Sequence, residues 1–268
     1  MVDGIAIDGR AVESAIVDVA SAEVLPRLGV LGDDEIEEKS PGDLVTVADA
    51  ACERALAERL RSLVDLPVLG EEAAAEDPSL LGLVATAEAV WVIDPIDGTS
   101  NFAAGSPDFA VMVSLVQHGR TTHGWMHLPV AGSMLHAELG AGAWRDGAAV
   151  DARPPRPDAV GLLKRGYLPA AVRDRLGTGP ALLRDAVHGI GSCPFDYDAV
   201  VRGTAAFVLY WRTLPWDHTA PALYAAESGL RVARPGGDPY EPGDGRSGLL
   251  VAHPSRWGQI DAAFGSLR

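Results

Sequence analysis

Two aspartates at the end of a strongly apolar segment are the residues of this chain best suited to chemistry. Residues 90–93 are β-branched or aromatic and predict a buried strand, and Pro95, which lacks an N–H, predicts that this strand ends at Asp94. Asp94 and Asp97 then lie at the mouth of the strand, and Gly98 permits a positive φ or a close approach. Two carboxylates this close repel each other unless a cation lies between them, and Mg²⁺ prefers such oxygen ligands. The stretch is therefore a candidate metal site, and a solvated acidic turn is the alternative.

A shorter segment upstream has the same form. Residues 67–70 predict a short strand that ends at a glycine, and Glu71 follows it. Because consecutive strands are commonly neighbours in a sheet, Glu71 is expected to approach Asp94 if the two strands pair. The alternative is that Glu71 and Glu72 only begin a helix, whose N-terminus favours negative charge.

The segments around these acids alternate between helix and strand patterns. Residues 10–25 predict an amphipathic helix, and a second helix can begin at Asp49. Their apolar stripes consist of Val12, Ala15, Ile16, Val19, Ala20 and Val24 in the first and of Ala51, Ala55, Leu56, Leu60, Leu63 and Val64 in the second. Downstream, the patterns predict strands at 109–116, 121–128, 134–144, 162–167, 204–211 and 249–252 and helices at 169–176, 194–201, 217–227 and 257–264. This alternation indicates a mixed α and β fold, either α+β or α/β.

The composition excludes several classes of protein. The 37 acidic against 22 basic residues give a net charge of -15, so the chain lacks the clustered lysine and arginine that nucleic-acid binding needs. The absence of a long apolar run and of a signal-peptide pattern predicts a cytoplasmic protein without a membrane span. Two cysteines give no disulfide framework, and the seven histidines lack zinc-hydrolase spacing. His218 is expected to be exposed in the first turn of a helix, and the alternative is that it faces the site beside Asp217.

Three motifs in this order resemble those of the inositol monophosphatase family of metal-dependent phosphomonoesterases. They are residues 69–72 (Leu-Gly-Glu-Glu), residues 91–102 and residues 215–217 (Pro-Trp-Asp). The resemblance implies a layered αβαβα sandwich of the inositol monophosphatase and fructose-1,6-bisphosphatase type, and commonly a homodimer. It implies one phosphatase domain over residues 1–268, which we expect to divide into a metal-site lobe (1–150) and a second lobe (151–268) that contributes Asp217.

The same resemblance implies a set of metal ligands. Glu71, Asp94 and the backbone carbonyl of Ile96 would hold one Mg²⁺ ion. Asp94, Asp97 and Asp217 would hold a second ion, with Asp94 bridging, and Glu71 would contact a weaker third ion through water. The alternative for Asp217 is that it only caps its helix.

Catalytic roles follow from the resemblance as well. Glu71 with Thr99 would orient and deprotonate the attacking water, and the N–H groups of Gly98 and Thr99 would hold the phosphate. Asp49 matches a family acid that supports this water, and Lys39 matches a basic residue near a mobile loop. Each has a plain alternative, since Asp49 could pair with its neighbours as a helix cap and Lys39 could be a solvated charge.

The expected substrate is a small phosphorylated metabolite. The resemblance implies that the residues in contact with it are Gly98, Thr99, Cys193, Tyr210 and Asp217. Tyr210 falls where inositol-specific members have a glutamate that accepts bonds from ring hydroxyls, and Cys193 falls where they have a small alanine. We therefore expect myo-inositol 1-phosphate to be at best a modest substrate, compared with histidinol phosphate, a sugar bisphosphate or a 3′-phosphonucleotide. The alternative is that Tyr210 points into the core.

Two further expectations depend on the family pattern. Inhibition by Li⁺ is implied, because Li⁺ competes for a Mg²⁺ position in the family. The helix after the third motif reads Ala220-Pro221 where the family usually has Ala-Gly, and Pro221 is expected in the first turn, where its missing N–H costs little.

The alternative function is that of a non-catalytic family relative that binds a phosphorylated ligand or a partner protein.

Overall fold

The computed structural model describes residues 5–40 and 43–267. The strands are β1 (Ile36–Ser40), β2 (Asp43–Thr46), β3 (Val68–Gly70), β4 (Ala89–Asp97), β5 (Ala110–Gln117), β6 (Arg120–Leu128), β7 (Ser133–Glu138), β8 (Gly142–Arg145), β9 (Ala148–Ala149), β10 (Gly161–Leu163), β11 (Phe207–Tyr210), β12 (Arg231–Ala233) and β13 (Leu249–Ala252). The helices are α1 (Gly9–Val19), α2 (Val47–Leu63), α3 (Glu71–Glu76), α4 (Leu83–Thr86), α5 (Thr99–Ala103), α6 (Ala170–Leu176), α7 (Ala181–Arg184), α8 (Cys193–Val201), α9 (Pro215–Glu227) and α10 (Pro254–Gly265).

The elements form five layers, αβαβα, as the family resemblance implies. A seven-stranded sheet has the order β3-β4-β5-β6-β7-β8-β9, and a four-stranded sheet has the order β10-β11-β13-β12. Helices α1 and α2 bury their apolar stripes on one face of the larger sheet. Helices α8 and α9 fill the space between the two sheets, and α6, α7 and α10 cover the outer face of the smaller sheet. Strands β4, β5, β11 and β13 are buried along their whole length, which explains why they read as largely apolar runs, whereas the edge strand β9 is exposed.

The predicted helices are confirmed, with small changes at their ends. All six stripe residues of the first helix are buried, and the helix continues past Val19 as a π-helical turn over Ala20–Val24. The second helix begins at Val47 rather than at Asp49, because Thr46 is its N-cap. Leu63, predicted to be in its buried stripe, is exposed at the last position of the helix. In the described part of the chain, no helix combines the length and apolar character that crossing a bilayer requires.

Strand β4 runs further than the proline predicts. It pairs in parallel with β3 and in antiparallel with β5, and it continues to Asp97 instead of ending at Asp94. Between Asp94 and Asp97 the register shifts, with three steps along β4 opposite two along β5. Such a bulge leaves one residue outside the ladder, so the missing N–H of Pro95 does not break the sheet. The bulge also brings both aspartates to the same end of the strand.

Helix α9 carries Pro221 inside the helix rather than in its first turn, which corrects the sequence expectation. The helix persists, and it packs closely on the larger sheet at β6. A Cβ atom on Gly124 would lie only 2.8 Å from the Cα of Ala220. The close approach of Ala220 to β6 therefore depends on a glycine in the strand.

Candidate active site

Three carboxylates converge at the end of β4. Asp94 and Asp97 come from the strand, Asp217 comes from the first turn of α9, and one oxygen of each lies within 4.8 Å of the other two. Asp217 does not cap its helix, since Leu214 occupies the N-cap position. Asp97 and Asp217 are 120 residues apart in the sequence, and the packing of α9 against the larger sheet brings them together. The geometry suits a divalent cation with oxygen ligands.

The electrostatics of this cluster also favour a cation. Burial, followed by the charges of Glu71, Asp97 and Asp217, raises the pKa of Asp94 well above its usual range. Burial and the nearby Asp217 raise the pKa of Asp97 to about 7, although the Ser192 hydroxyl (2.5 Å) and the Cys193 N–H (2.6 Å) both donate to its Oδ2. A bound metal ion lowers the pKa of both aspartates again, because its positive charge favours the ionised carboxylates.

One buried carboxylate oxygen of Asp94 is placed to bind a ligand. Asp94 is 1% exposed, and its Oδ1 finds no hydrogen-bond donor among the residues that the structure describes. A buried acceptor without a partner is costly, so such an atom commonly marks the place of an ion or a water. The carboxylates of Asp94, Asp97 and Asp217 therefore fit the Mg²⁺ ions that the sequence motifs imply.

Glu71 is brought to the cluster by the pairing of β3 with β4, as predicted. Gly70 lies opposite Ile93 in the parallel register, so Glu71 follows beside Asp94, and both line the same cavity. The alternative, that Glu71 begins a helix, is also correct, because Glu71 is the first residue of α3. The N-terminus of that helix is capped by Glu53 of α2, whose carboxylate accepts the N–H groups of Glu72 (2.7 Å) and Ala73 (2.9 Å).

Gly70 leaves room for this cap. A Cβ atom at position 70 would lie 2.2 Å from the Glu53 carboxyl carbon. We expect Gly70→Ala to displace Glu53, loosen the first turn of α3 and move Glu71, which lowers kcat/KM by about 10- to 100-fold. Steady-state kinetics against Gly82→Ala provides the comparison, because a Cβ at Gly82 meets no heavy atom within 4 Å. Equal activity of the two variants would show that Glu53 does not position Glu71.

The turn after β4 holds Thr99 in place. Gly98 has φ +94, and a Cβ there would approach the Asp108 carbonyl (3.1 Å) and Ser192 (3.2 Å), so the predicted need for glycine is confirmed on both counts. The Thr99 Oγ1 lies 3.0 Å from the Ile96 carbonyl oxygen and 3.3 Å from Asp49 Oδ1. A single hydroxyl hydrogen serves one of these acceptors at a time.

Asp49 lies behind Thr99, outside the cavity lining. It is 1% exposed, and its Oδ2 accepts the N–H (2.8 Å) and the hydroxyl (2.6 Å) of Thr46, which forms a capping box. The capping alternative is therefore present together with the contact to Thr99. The prediction for the Lys39 side chain lies outside the described residues.

The opposite wall of the cavity contains residues that the motifs did not indicate. The cavity has a volume of about 110 Å³. Besides the acids, it is lined by Lys164, Tyr167, His188, Cys193, Asp196, Tyr210 and Arg212. Cys193 and Tyr210 thus both reach the cavity, and Tyr210 is on its wall rather than only in the core.

Asp196 of α8 is one of the residues on this wall that the sequence motifs did not indicate. Its Oδ2 accepts the Tyr210 hydroxyl at 2.7 Å, and its Oδ1 accepts the Ile190 N–H at 3.0 Å. Burial raises the pKa of Asp196. A carboxylate from helix α8 therefore lies beside position 210, where the tyrosine hydroxyl engages it, and no local pattern in the sequence connects the two positions.

His218 is fully buried, which corrects the expectation that it is exposed. Burial lowers its pKa to about 3, so the ring is neutral at physiological pH. The ring lies between the Tyr197 hydroxyl (3.1 Å from Nδ1) and the Arg212 carbonyl (3.1 Å from Nε2). Since a carbonyl only accepts, Nε2 carries the hydrogen. His218 thereby fixes the backbone of Arg212 beside the metal-site helix.

Comparison with known proteins agrees with this architecture. The sequence model of the inositol monophosphatase family matches residues 9–264. The chain is 30% identical to the probable inositol 1-monophosphatase ImpA of Mycobacterium tuberculosis over 269 residues, which covers 95% of the chain and 93% of ImpA. It is 31% identical to the 3′(2′),5′-bisphosphate nucleotidase CysQ of Shigella flexneri over 74% of the chain and 79% of that protein.

Solved structures share the fold. The extragenic suppressor protein suhB of Bartonella henselae superposes with a TM-score of 0.76 at 22% identity, covering 95% of this chain and 98% of its own. An inositol monophosphatase of Thermotoga maritima superposes with a TM-score of 0.76 at 20% identity, covering 97% and 96%.

Proposed function

The chain belongs to the inositol monophosphatase family and is a phosphoric monoester hydrolase, and we propose that it hydrolyses a small phosphorylated metabolite in a Mg²⁺-dependent reaction. The observation that supports the metal dependence is the meeting of Asp94, Asp97 and Asp217 around an Asp94 oxygen that receives no hydrogen bond from the described residues. In the reaction, a water oxygen bonds to phosphorus and the ester P–O bond breaks, which releases inorganic phosphate and the free alcohol.

The metal ligands in this proposal are the predicted ones. Glu71, Asp94, Asp97, Asp217 and the Ile96 carbonyl would hold two or three Mg²⁺ ions. When bound, such ions lower the pKa of water and neutralise the charge of the phosphate and the leaving oxygen. All five residues line one cavity, with the carboxylates on its floor.

The other groups of the site hold and orient the reactants. Glu71 accepts the proton of the attacking water, and the Thr99 hydroxyl, kept in place by Asp49 and the Ile96 carbonyl, aligns that water. The N–H groups of Gly98 and Thr99, at the start of α5, would hold the phosphate. Asp49 acts through Thr99 and is a positioning residue in this scheme.

Release of phosphate from an aryl phosphate tests the proposal. We expect release that requires Mg²⁺, is abolished by a chelator and is inhibited by Li⁺. Absence of metal-dependent release from any phosphate ester would favour a non-catalytic relative that binds a phosphorylated ligand. Activity without sensitivity to Li⁺ would indicate a different second metal position. The homodimer stays a prediction, which the mass measured in solution by light scattering tests.

The wall around Tyr210 bears on the choice of alcohol. The Tyr210 hydroxyl is already bonded to Asp196, and its ring stacks on Tyr197 at 5.9 Å. Its hydroxyl hydrogen is therefore not available to the substrate, and the position lacks the charged acceptor of the inositol-specific members. We propose that myo-inositol 1-phosphate is at best a modest substrate.

Restoring an acceptor at position 210 tests this reading of the pocket. Tyr210→Glu alone would place two carboxylates together, so we combine it with Asp196→Asn, which removes one charge. We expect the double variant to raise kcat/KM for myo-inositol 1-phosphate relative to histidinol phosphate by about 10-fold, the effect of one hydrogen bond to a charged group. Asp196→Asn alone is the control. A wild-type enzyme that already prefers inositol phosphate would contradict the pocket argument and leave the metal site unaffected.

A further inference from the structure

Two buried hydroxyl groups meet where α9 crosses the larger sheet, and the proposed reaction uses neither of them. Ser114 of β5 and Thr219 of α9 are each 1% exposed, and their hydroxyl oxygens are 2.7 Å apart. A buried hydroxyl without a partner is costly, and each of these two groups satisfies the other. The two residues are 105 positions apart, so their bond joins the sheet to the helix that carries Asp217.

The direction of the hydrogens in this pair follows from a second bond. The Oγ1 of Thr219 also lies 2.8 Å from the carbonyl oxygen of Pro215, four residues earlier in α9. Since a carbonyl oxygen only accepts, Thr219 donates its one hydrogen to Pro215 and accepts the hydrogen of Ser114. No other group among the described residues bonds to the Ser114 hydroxyl. Two hydrogen bonds in series therefore connect the strand to the first residue of the helix.

Ser114 faces the helix from a position close to Asp94. It lies opposite Val92 of β4 on one side and opposite Gly124 of β6 on the other. Asp94 follows Val92 by two residues, and side chains two residues apart in a strand point to the same face, about 7 Å from each other. Ala220 of α9 packs on Gly124, in the same row across the sheet as Ser114. The hydroxyl pair thus lies at a close approach of helix and sheet, one row away from Asp94.

On the helix, the bonded residues flank the acid of the candidate metal site. Asp217 lies between Pro215 and Thr219, and the bond between these two holds the first turn of α9 in its helical form. The bond from Ser114 then fixes that turn against the larger sheet. A hydrogen bond is directional, whereas apolar contacts between a helix and a sheet permit small shifts of one along the other.

The carboxylates that this turn brings together repel each other. Asp94, Asp97 and Asp217 approach within 4.8 Å through one oxygen each, and burial together with the neighbouring acids raises the pKa of both Asp94 and Asp97. Without a cation, the repulsion pushes the first turn of α9 away from the end of β4. A contact that resists this shift keeps the carboxylates together, so an arriving ion meets ligands that are already in place.

We propose that the hydrogen bond between Ser114 and Thr219 positions Asp217 for metal binding, so that both hydroxyl residues are positioning residues of the Mg²⁺ site. The inference rests on the proposed metal-dependent function and deepens it. Neither side chain lines the cavity at the end of β4, so neither is a catalytic residue. Their loss should weaken Mg²⁺ binding more than the chemical step, because a saturating concentration of the ion gathers the carboxylates without their help.

Titration calorimetry with Mg²⁺ on hydroxyl variants tests the inference. Thr219→Val keeps the shape of the side chain and removes the hydroxyl, so we expect the dissociation constant for Mg²⁺ to rise by about 10-fold, the effect of one buried hydrogen bond. Ser114→Ala should raise it by a similar factor, and Thr219→Ser, which keeps the hydroxyl, should stay near the wild type. The double variant Ser114→Ala/Thr219→Val should bind no more weakly than Thr219→Val, because both changes remove the same bond.

Ser228→Ala is the matched control at the other end of α9. Ser228 is 3% exposed, and its hydroxyl donates to the Tyr224 carbonyl at 2.7 Å, the same kind of bond that Thr219 makes to Pro215. It lies about 16 Å along the helix from Asp217. This variant should lower the melting temperature in chelator, as Thr219→Val does, and leave the Mg²⁺ dissociation constant unchanged. In every variant, kcat at saturating Mg²⁺ should remain close to that of the wild type.

The outcomes distinguish the inference from the proposed function. Wild-type Mg²⁺ affinity in Thr219→Val and Ser114→Ala overturns the inference and leaves the phosphatase function intact. A loss in Thr219→Val alone also overturns it, because the bond within the helix would then act without the sheet, and an equal loss in Ser228→Ala would show a general loosening of α9. If Thr219→Val does not fold, the comparison of Ser114→Ala with Ser228→Ala decides. A wild-type protein that neither binds Mg²⁺ nor releases phosphate from the aryl ester overturns both proposals.

Discussion

Asp94→Asn is expected to abolish phosphatase activity and, in the absence of metal, to stabilise the protein. An amide offers one neutral oxygen where the carboxylate offers two charged ones, so the variant would lack the ligand that the proposed mechanism places between the two ions. We expect kcat/KM to fall by about 10³-fold or more, which corresponds to several kcal/mol of charge stabilisation in the transition state.

The gain in stability has its own physical reason. The folded state raises the pKa of Asp94, through burial first and then through Glu71, Asp97 and Asp217. A group whose pKa is raised on folding loses its contribution to stability as the pH rises through the folded pKa, so the Asp94 carboxyl group makes the metal-free protein less stable near neutral pH than at low pH. Asparagine carries no such charge, and its amide hydrogens can donate to the neighbouring carboxylates. The melting temperature in chelator should therefore exceed that of the wild type by a few degrees.

Asp65→Asn is the matched control for both measurements, since Asp65 is exposed and remote from the cavity lining. It should leave kcat/KM and the melting temperature unchanged. Retained turnover of Asp94→Asn at saturating Mg²⁺ would disprove the bridging role. A lower melting temperature in chelator would show that Asp94 is stabilised by contacts other than the repelling acids.

Glu71→Gln is expected to have the second largest effect, mainly on kcat. The amide cannot accept the proton of the attacking water, whereas Asp94, Asp97 and Asp217 still meet around the second ion position. We expect kcat to fall by about 10²- to 10³-fold while Mg²⁺ binding is weakened but preserved in part. Titration calorimetry with Mg²⁺ then distinguishes this variant from Asp94→Asn, in which binding should be lost.

Glu72→Gln provides the comparison at the adjacent position. Glu72 contributes its backbone N–H to Glu53, and this bond does not depend on its side-chain charge. If Glu71→Gln lost all Mg²⁺ binding, Glu71 would be a ligand that the site cannot spare rather than chiefly the base. If it kept wild-type kcat, another group would have to accept the proton.

The sequence by itself determined most of the elements and the floor of the site. The apolar stripe of α1 and the buried run of β4 are local patterns, and burial on the two faces of the larger sheet follows from them. The pairing of β3 with β4 places Glu71 beside Asp94, as the succession of two strands predicts. The prolines did not predict where the elements end. Pro95 lies in a bulge of β4, which continues past it, and Pro221 lies inside α9, which also continues.

Only the tertiary structure decided which distant residues complete the cavity. The Glu53 cap beneath Gly70, the bond between Asp196 and Tyr210, and the cations around Tyr167 all join separate elements. Their positions depend on how α8, α9 and the smaller sheet pack on the larger one. The periods of two residues in strands and 3.6 residues in helices identify a buried face but do not predict which element packs against it. The proposed metal ligands therefore all lie within three sequence motifs, whereas the wall that we propose to select the alcohol arises from contacts between segments that are far apart in the chain.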